Sequence, residues 1–225
     1  MIDTPTIDWA GLSPYLVLLA GASVILLGAL FMHGARRNAF AAGLSTLTLL
    51  GAGAAAIALF AIDEGGRDLV AGALAQDRLA DLAQTIVIGA GLLTVLVSFR
   101  EPDADERRGD YYALVLSAVA GMAFLVAAND LITLFLGLEW FSISLYILCA
   151  VTTERTRALE AGLKYLVIGS FGSAILLFGS ALVFGATGEV NFAAIGASAQ
   201  AGEAEELAER AQHDVQRQFR ESVAL

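Results

Sequence analysis

The sequence predicts an all-α fold, a polytopic transmembrane helix bundle of about six spans. Three observations carry that reading. Hydrophobic residues make up 57% of the 225 residues and charged residues only 16%, at a mean hydropathy of +0.71, which is far too apolar for a soluble domain of this length. Six apolar stretches recur, each close to the roughly 20 residues a helix needs to cross a bilayer core. The separators between them are short and polar, with turn formers such as Gly65-Gly66, Glu101-Pro102-Asp103 and Asn129-Asp130. The net charge of −10 comes from acids in these loops and in the last two dozen residues, so it reads as solvated charge. Nucleic acid is not an expected partner.

The elements follow in order. Met1 to Leu12 carries Asp3 and Asp8 and no basic residue, so it lacks the positive region of a secretory signal and the first apolar run is expected to be a retained helix. The six spans are Tyr15 to Met32, Phe40 to Ile62, Asp81 to Phe99, Tyr111 to Ala128, Leu131 to Thr152 and Leu163 to Phe184. Pro5, Pro14 and Pro102 fall outside all of them, so nothing obliges a proline kink. The first, third and fifth loops hold Arg36, Arg37, Arg100, Arg107, Arg108, Arg155 and Arg157, against Arg67 and Arg78 in the second and fourth. Since basic residues are retained on the cytoplasmic side, the odd loops are expected there and both termini outside. Small residues on the sixth span (Gly169, Ser170, Gly172, Ser173, Gly179 and Ser180) allow close approach of a neighbouring helix, so this span is expected to face protein. After Asn191 the chain turns polar. A soluble helix, or the product of a truncation or frameshift, are both open readings for 193–225.

Two ionisable residues stand out inside this apolar frame. Glu139 lies in mid-span, where a carboxylate costs several kcal/mol unless paired, hydrated or protonated, and is a candidate for proton handling. Lys164, 25 positions later (164 − 139), is the only lysine, and lysine can lose its proton when desolvated whereas arginine does not. The plainer readings are a protonated, hydrogen-bonded carboxyl for Glu139 and an interfacial, snorkelling side chain for Lys164. Glu160 precedes Lys164 by four positions and reads either as its i,i+4 ion-pair partner or as part of a proton uptake route. Asp130 reads as a helix N-cap. Trp140, Tyr111 and Tyr112 read as packing or interfacial anchors. His33 and His213 read as surface residues, and Cys149 as packing, with no disulfide framework or metal cluster available to it.

The run from Asp130 to Phe192 resembles a known family. Gly137-Leu138-Glu139-Trp140-Phe141-Ser142, Leu145-Tyr146-Ile147-Leu148, Leu159-Glu160-Ala161-Gly162-Leu163-Lys164-Tyr165, Gly185-Ala186-Thr187-Gly188 and Asn191-Phe192 together resemble the N subunit of proton-pumping NADH:quinone oxidoreductase, an antiporter-like membrane-arm subunit. The first three spans resemble it in length and topology only. The resemblance implies that Glu139 and Lys164 belong to an intramembrane charged chain, with other membrane-arm subunits as partners. It also implies no cofactor in this subunit, and neither NADH nor flavin bound directly, in keeping with a sequence that has no Gly-rich dinucleotide loop or Cys cluster. Family members have about fourteen spans in two inverted repeats, so the expected organisation is three N-terminal helices over 1–110, an incomplete antiporter-like repeat over 111–192 and a polar tail over 193–225. Such a chain is expected to be unable to form a proton channel or to be catalytic alone. A subunit of a multisubunit cation/proton antiporter, and a non-transporting scaffold or remnant, are the alternative readings.

Overall fold

The computed structural model describes residues 7–62, 66–99 and 108–202. Six long apolar helices dominate it: α1 (Ser13–Leu30), α2 (Ala35–Ile62), α3 (Arg78–Ser98), α4 (Arg108–Val126), α5 (Leu131–Cys149) and α6 (Thr156–Thr187). Each is long and apolar enough to cross a membrane, and the protein is multi-pass. The Glu101-Pro102-Asp103 turn, Pro5, Gly65, the loop arginines Arg100 and Arg107, and the tail from 203 on with His213 lie outside the described residues.

The spans start and stop where local chemistry says they should. Pro14 sits in the first turn of α1, where its missing N–H leaves no bond unmade. Asp77 caps α3 by accepting from the Ala80 N–H at 2.7 Å, and Asp130 caps α5 by accepting from the Thr133 N–H at 2.6 Å. The Asp130 cap agrees with its sequence reading. The Asp77 cap moves the start of α3 back to Arg78, ahead of the expected Asp81. Helix α6 runs unbroken for 32 residues, beginning seven positions before the expected Leu163. Gly188, at φ +71°, ends it in the left-handed conformation that glycine tolerates.

Helix α4 is the centre of the bundle. It packs against α1, α2, α3 and α5, and 56% of its apolar window is buried. Backbone approach to α5 is close. A Cβ on Gly121 would stand 2.6 Å from the Phe141 nitrogen, and one on Gly137 would stand 2.8 Å from the Leu125 Cα, the small-residue contact that membrane helices favour. Trp140 Nε1 donates to Ser117 Oγ at 3.1 Å, and the Ser117 and Ser144 hydroxyls meet at 3.0 Å across the same seam. Among the described residues helix α6 packs to a comparable degree only against α5, and 6% of its window is buried.

One part of the fold was absent from the sequence expectation. Between α2 and α3 the chain forms a small antiparallel hairpin, β1 (Arg67–Leu69) and β2 (Leu74–Gln76), turned through Val70, Ala71 and Gly72 at positive φ. The free edge of β2 takes up the α4–α5 connection: the Ala75 N–H donates to the Ala127 oxygen at 2.8 Å and the Asn129 N–H to the Ala73 oxygen at 3.0 Å. That connection in turn pairs with the end of α6, through Leu131 N–H to Val190 oxygen at 3.0 Å and Phe192 N–H to Asn129 oxygen at 3.1 Å. A continuous hydrogen-bonded cap thus closes one end of the bundle, and a further helical segment leaves it at 192 and runs through 202.

Candidate functional site

Glu139 stands eight residues into α5 (139 − 131), about 12 Å from the capped end. The residue is half-buried, and its Oε1 is buried with no hydrogen-bond partner among the described residues. The seam with α4 sets its direction. Gly137, Trp140, Phe141 and Ser144 engage α4, whereas Tyr146, seven residues on and so within about 20° of Glu139 around the helix, faces α6. A Cβ on Gly169 would lie 2.0 Å from the Tyr146 hydroxyl, and the Tyr146 and Tyr165 rings meet edge to face at 4.8 Å.

Lys164 is placed differently. Gly162 packs against Ala150 and Gly169 against Tyr146, which puts Lys164 level with about residue 149, the last of α5. It is therefore ten residues (149 − 139), or roughly 15 Å, nearer the uncapped end of the bundle than Glu139. The α5-facing stripe of α6 is Gly162, Gly169 and Ser173, and Lys164 lies about 160° around the helix from Gly162. Its ammonium donates to Glu160 Oε1 at 2.5 Å, with the two side chains 69% and 58% exposed. No hydrogen bond or ion pair joins Lys164 to Glu139, so the structure brings Glu160 and Lys164 together and leaves Glu139 apart. Of the other small residues on α6, Gly172 and Gly179 meet nothing within 4 Å, so the face expected to contact protein is narrower than the sequence indicates. An apolar cleft of about 500 Å³ opens between α4, α5 and α6 at the Lys164 level, lined among others by Asp110, Tyr146, Gly162 and Leu163.

Sequence reasoning passed over Asp81. It is fully buried in the first turn of α3, where its Oδ1 accepts from Gln76 Nε2 on the hairpin at 3.1 Å. One turn along, Gln84 Nε2 donates to the Tyr15 hydroxyl on α1 at 2.8 Å. The signal was present as an Asp-x-x-Gln pair at the edge of an apolar run, but only the hairpin folding over it takes it out of water. Nearby, Asp8 accepts from the Gly11 and Ala10 N–H groups and from Arg67 at 3.3 Å. The Gly11 backbone bond foremost, then Arg67, holds its carboxyl below the ordinary 3.8. Among the described residues no three His, Cys, Asp or Glu side chains could hold a metal ion together.

Comparison with known proteins places these features. Residues 128–211 match the family model described as NADH:quinone oxidoreductase/Mrp antiporter, transmembrane. The chain is 38% identical over 190 residues to NADH-quinone oxidoreductase subunit N of Myxococcus xanthus, covering 84% of this chain and 36% of the relative. It is 36% identical over 196 residues to subunit N 1 of Herpetosiphon aurantiacus, covering 85% and 38%. It thus spans well under half the length of these relatives. Among solved structures it resembles a chain of respiratory complex I from Thermus thermophilus with bound aureothin, at TM-score 0.66 and 26% identity over 79% of this chain and 38% of that one. It resembles a chain of an archaeal membrane-bound sulfane sulfur reductase at TM-score 0.70 and 26% identity, over 83% and 39%. The family resemblance read from the Glu139, Lys164 and Gly185 to Gly188 motifs is borne out: over most of its length the chain is similar to the N-terminal part of the antiporter-like N subunits of NADH-quinone oxidoreductase.

Proposed function

We propose that the protein is the N-terminal part of an antiporter-like membrane-arm subunit that couples quinone reduction to proton transport, with Glu139 and Lys164 in the relay and Glu160 beside Lys164 at the uptake end. The observation that carries this reading is the buried Oε1 of Glu139 in mid-helix, without a hydrogen-bond partner among the described residues. A buried polar atom without a partner is costly, and one that exchanges a proton has a use for that vacancy. The depth order supports the assignment, with Glu160 and Lys164 near the uncapped end of α5 and Glu139 halfway along it. Two exposed, paired charges, Glu160 about one turn and Lys164 about two turns inside α6, on the side away from α5, also support protein or water beyond that face, because lipid would penalise them heavily. Its partners would be the other membrane-arm subunits. The three-part organisation at 1–110, 111–192 and 193–225 is part of the same reading. A subunit of a cation/proton antiporter is the second reading, supported by likeness in fold to a chain of the Mrp complex from Dietzia at TM-score 0.66 and 20% identity.

The seven-to-two distribution of loop arginines supports both termini lying outside, with the capped end external. Reporter fusions after Gly34 and Asp103 should then read cytoplasmic and one after Gly66 external, and the opposite pattern rejects the orientation. The relay is tested by Glu139→Gln in the full-length subunit, since the amide keeps the shape and cannot exchange the proton. Assembly should persist and the ratio of pumped protons to reduced quinone should fall; an unchanged ratio in an assembled complex rejects the role. The 225-residue chain alone, with Glu139 and Lys164 on different faces and depths, should not speed pH equilibration of vesicles above the lipid background. Leakage that disappears in Glu139→Gln would contradict this.

A further inference from the structure

We propose that the hydroxyls of Ser142 and Tyr146 carry protons between Glu139 and the uncapped end of the bundle, with water bridging the gaps between them. The inference rests on the proton-relay reading above and deepens it, by naming the groups that exchange protons with Glu139.

The three residues share one face of α5. Ser142 follows Glu139 by three positions and Tyr146 by seven, which places all of them within about 60° around the helix. Both stand inside the ten-residue interval that separates Glu139 from the level of Lys164. Each is 8% exposed, and neither hydroxyl has a hydrogen-bond partner among the described residues, as with the Oε1 of Glu139. Ser142 departs from the other buried serines here. A serine in a helix commonly donates to the carbonyl four residues earlier, and Ser45, Ser144 and Ser173 do so at 2.7, 3.1 and 3.2 Å. Open hydroxyls on the face of an open carboxyl oxygen are groups that bridging waters would satisfy.

The phenol comes closest to Glu139 by way of α6. Gly162 lies against Ala150, so Gly169, seven residues along the antiparallel neighbour, is level with about residue 143 of α5. The Tyr146 hydroxyl occupies the place a Gly169 side chain would take, so it reaches back toward the start of α5, the direction in which helical side chains lean. Four residues (143 − 139), roughly 6 Å, then remain to the level of Glu139, and Ser142 lies within that gap. On its other side Tyr146 lines the cleft between α4, α5 and α6, whose further polar lining is Thr153 and Asp110, both exposed and near the uncapped end. Each hydroxyl donates one proton and accepts another. A proton therefore passes with Ser142 and Tyr146 neutral before and after, and only the Glu139 carboxyl changes charge. Packing alone would need just the Tyr146 ring, which meets Tyr165 edge to face.

Tyr146→Phe keeps that ring and Ser142→Ala keeps the helix; neither breaks a hydrogen bond among the described residues, so both should assemble. In the full-length subunit within the complex, each should lower the ratio of pumped protons to reduced quinone. Combined with Glu139→Gln, neither should lower it further than Glu139→Gln alone, because the groups act in series. Infrared difference spectra give a reading that packing would not move. The carboxyl band that Glu139→Gln abolishes should shift to higher frequency in Tyr146→Phe or Ser142→Ala, as the carboxyl loses a hydrogen-bonded water. An unchanged ratio in both variants, an unmoved band in both, or a lowering that adds to that of Glu139→Gln overturns the proposal. Failure of one variant to assemble leaves the other to decide, and failure of both shows the oxygens to be structural and overturns it too. Glu139→Gln alone keeps the two readings apart. A lowered ratio there with Ser142→Ala and Tyr146→Phe both silent rejects this path only, whereas an unchanged ratio there rejects the relay itself.

Discussion

Helices α4 and α6 have similar apolar character and opposite situations. The first is enclosed by four neighbours and meets α5 backbone to backbone at Gly121 and Gly137, while the second rests on α5 along Gly162, Gly169 and Ser173 and presents the rest of its surface outward. Hydropathy is blind to this difference, because lipid and protein interior are both apolar. What distinguishes them is steric: Gly121 of α4 and Gly137 of α5 have backbone within 3 Å of where a side chain would go, and several glycines of α6 have nothing there.

Substitutions can break or sharpen that contrast. The largest effect is expected from Gly121→Ala, whose methyl would meet the unyielding backbone of Phe141 and cost about 1–3 kcal/mol as overpacking, read by thermal unfolding of the 225-residue chain in detergent. Asp130→Ala removes the α5 cap and should cost about 1 kcal/mol in the same assay. Gly179→Ala on α6, with open space around it, should reverse the sign, stabilising by up to about 1 kcal/mol through helix propensity; a destabilisation as large as that of Gly121→Ala would erase the contrast. The smallest effect lies outside the spans. Because the folded carboxyl of Asp8 is held below its ordinary 3.8, the unfolded chain binds the extra proton. The stability it contributes is complete above 3.8 and is lost as pH falls through the lower folded value. Solvent exposure of the Asp8–Arg67 pair keeps the change slight. An acid titration of the unfolding midpoint should steepen less in Asp8→Asn than in the unsubstituted chain.

The spans were legible because a run of about 20 apolar residues admits few alternatives. The hairpin was not. Arg67-Asp68-Leu69 and Leu74-Ala75-Gln76 contain no β-branched residue and no alternation long enough to read, and their pairing is stabilised by the distant segment 127–129. Asp81 looked like the rim of a span for the same reason, since the hairpin that buries it had no signature. Glu139 and Lys164 were identifiable as residue types, but their relative depth was not. It depends on where α6 begins and on which of its glycines sit against Ala150 and Tyr146, neither of which is encoded in spacing alone.

The cap imposes an order of events on biosynthesis. Its successive rungs come from residues 67–69, 74–76, 127–131 and 190–192, so strands that lie side by side are made far apart in time. While the ribosome is still adding α6, the α4–α5 connection can dock on the hairpin but its other edge has no partner, and the bonds from Leu131 and Phe192 wait until that last helix has crossed the bilayer. Closure of the cap therefore reports that all six crossings have been completed, and a nascent chain arrested before residue 190 should leave the Leu131 amide, whose acceptor is Val190, open to hydrogen exchange that the finished protein resists, while the Asn129 amide stays protected by Ala73.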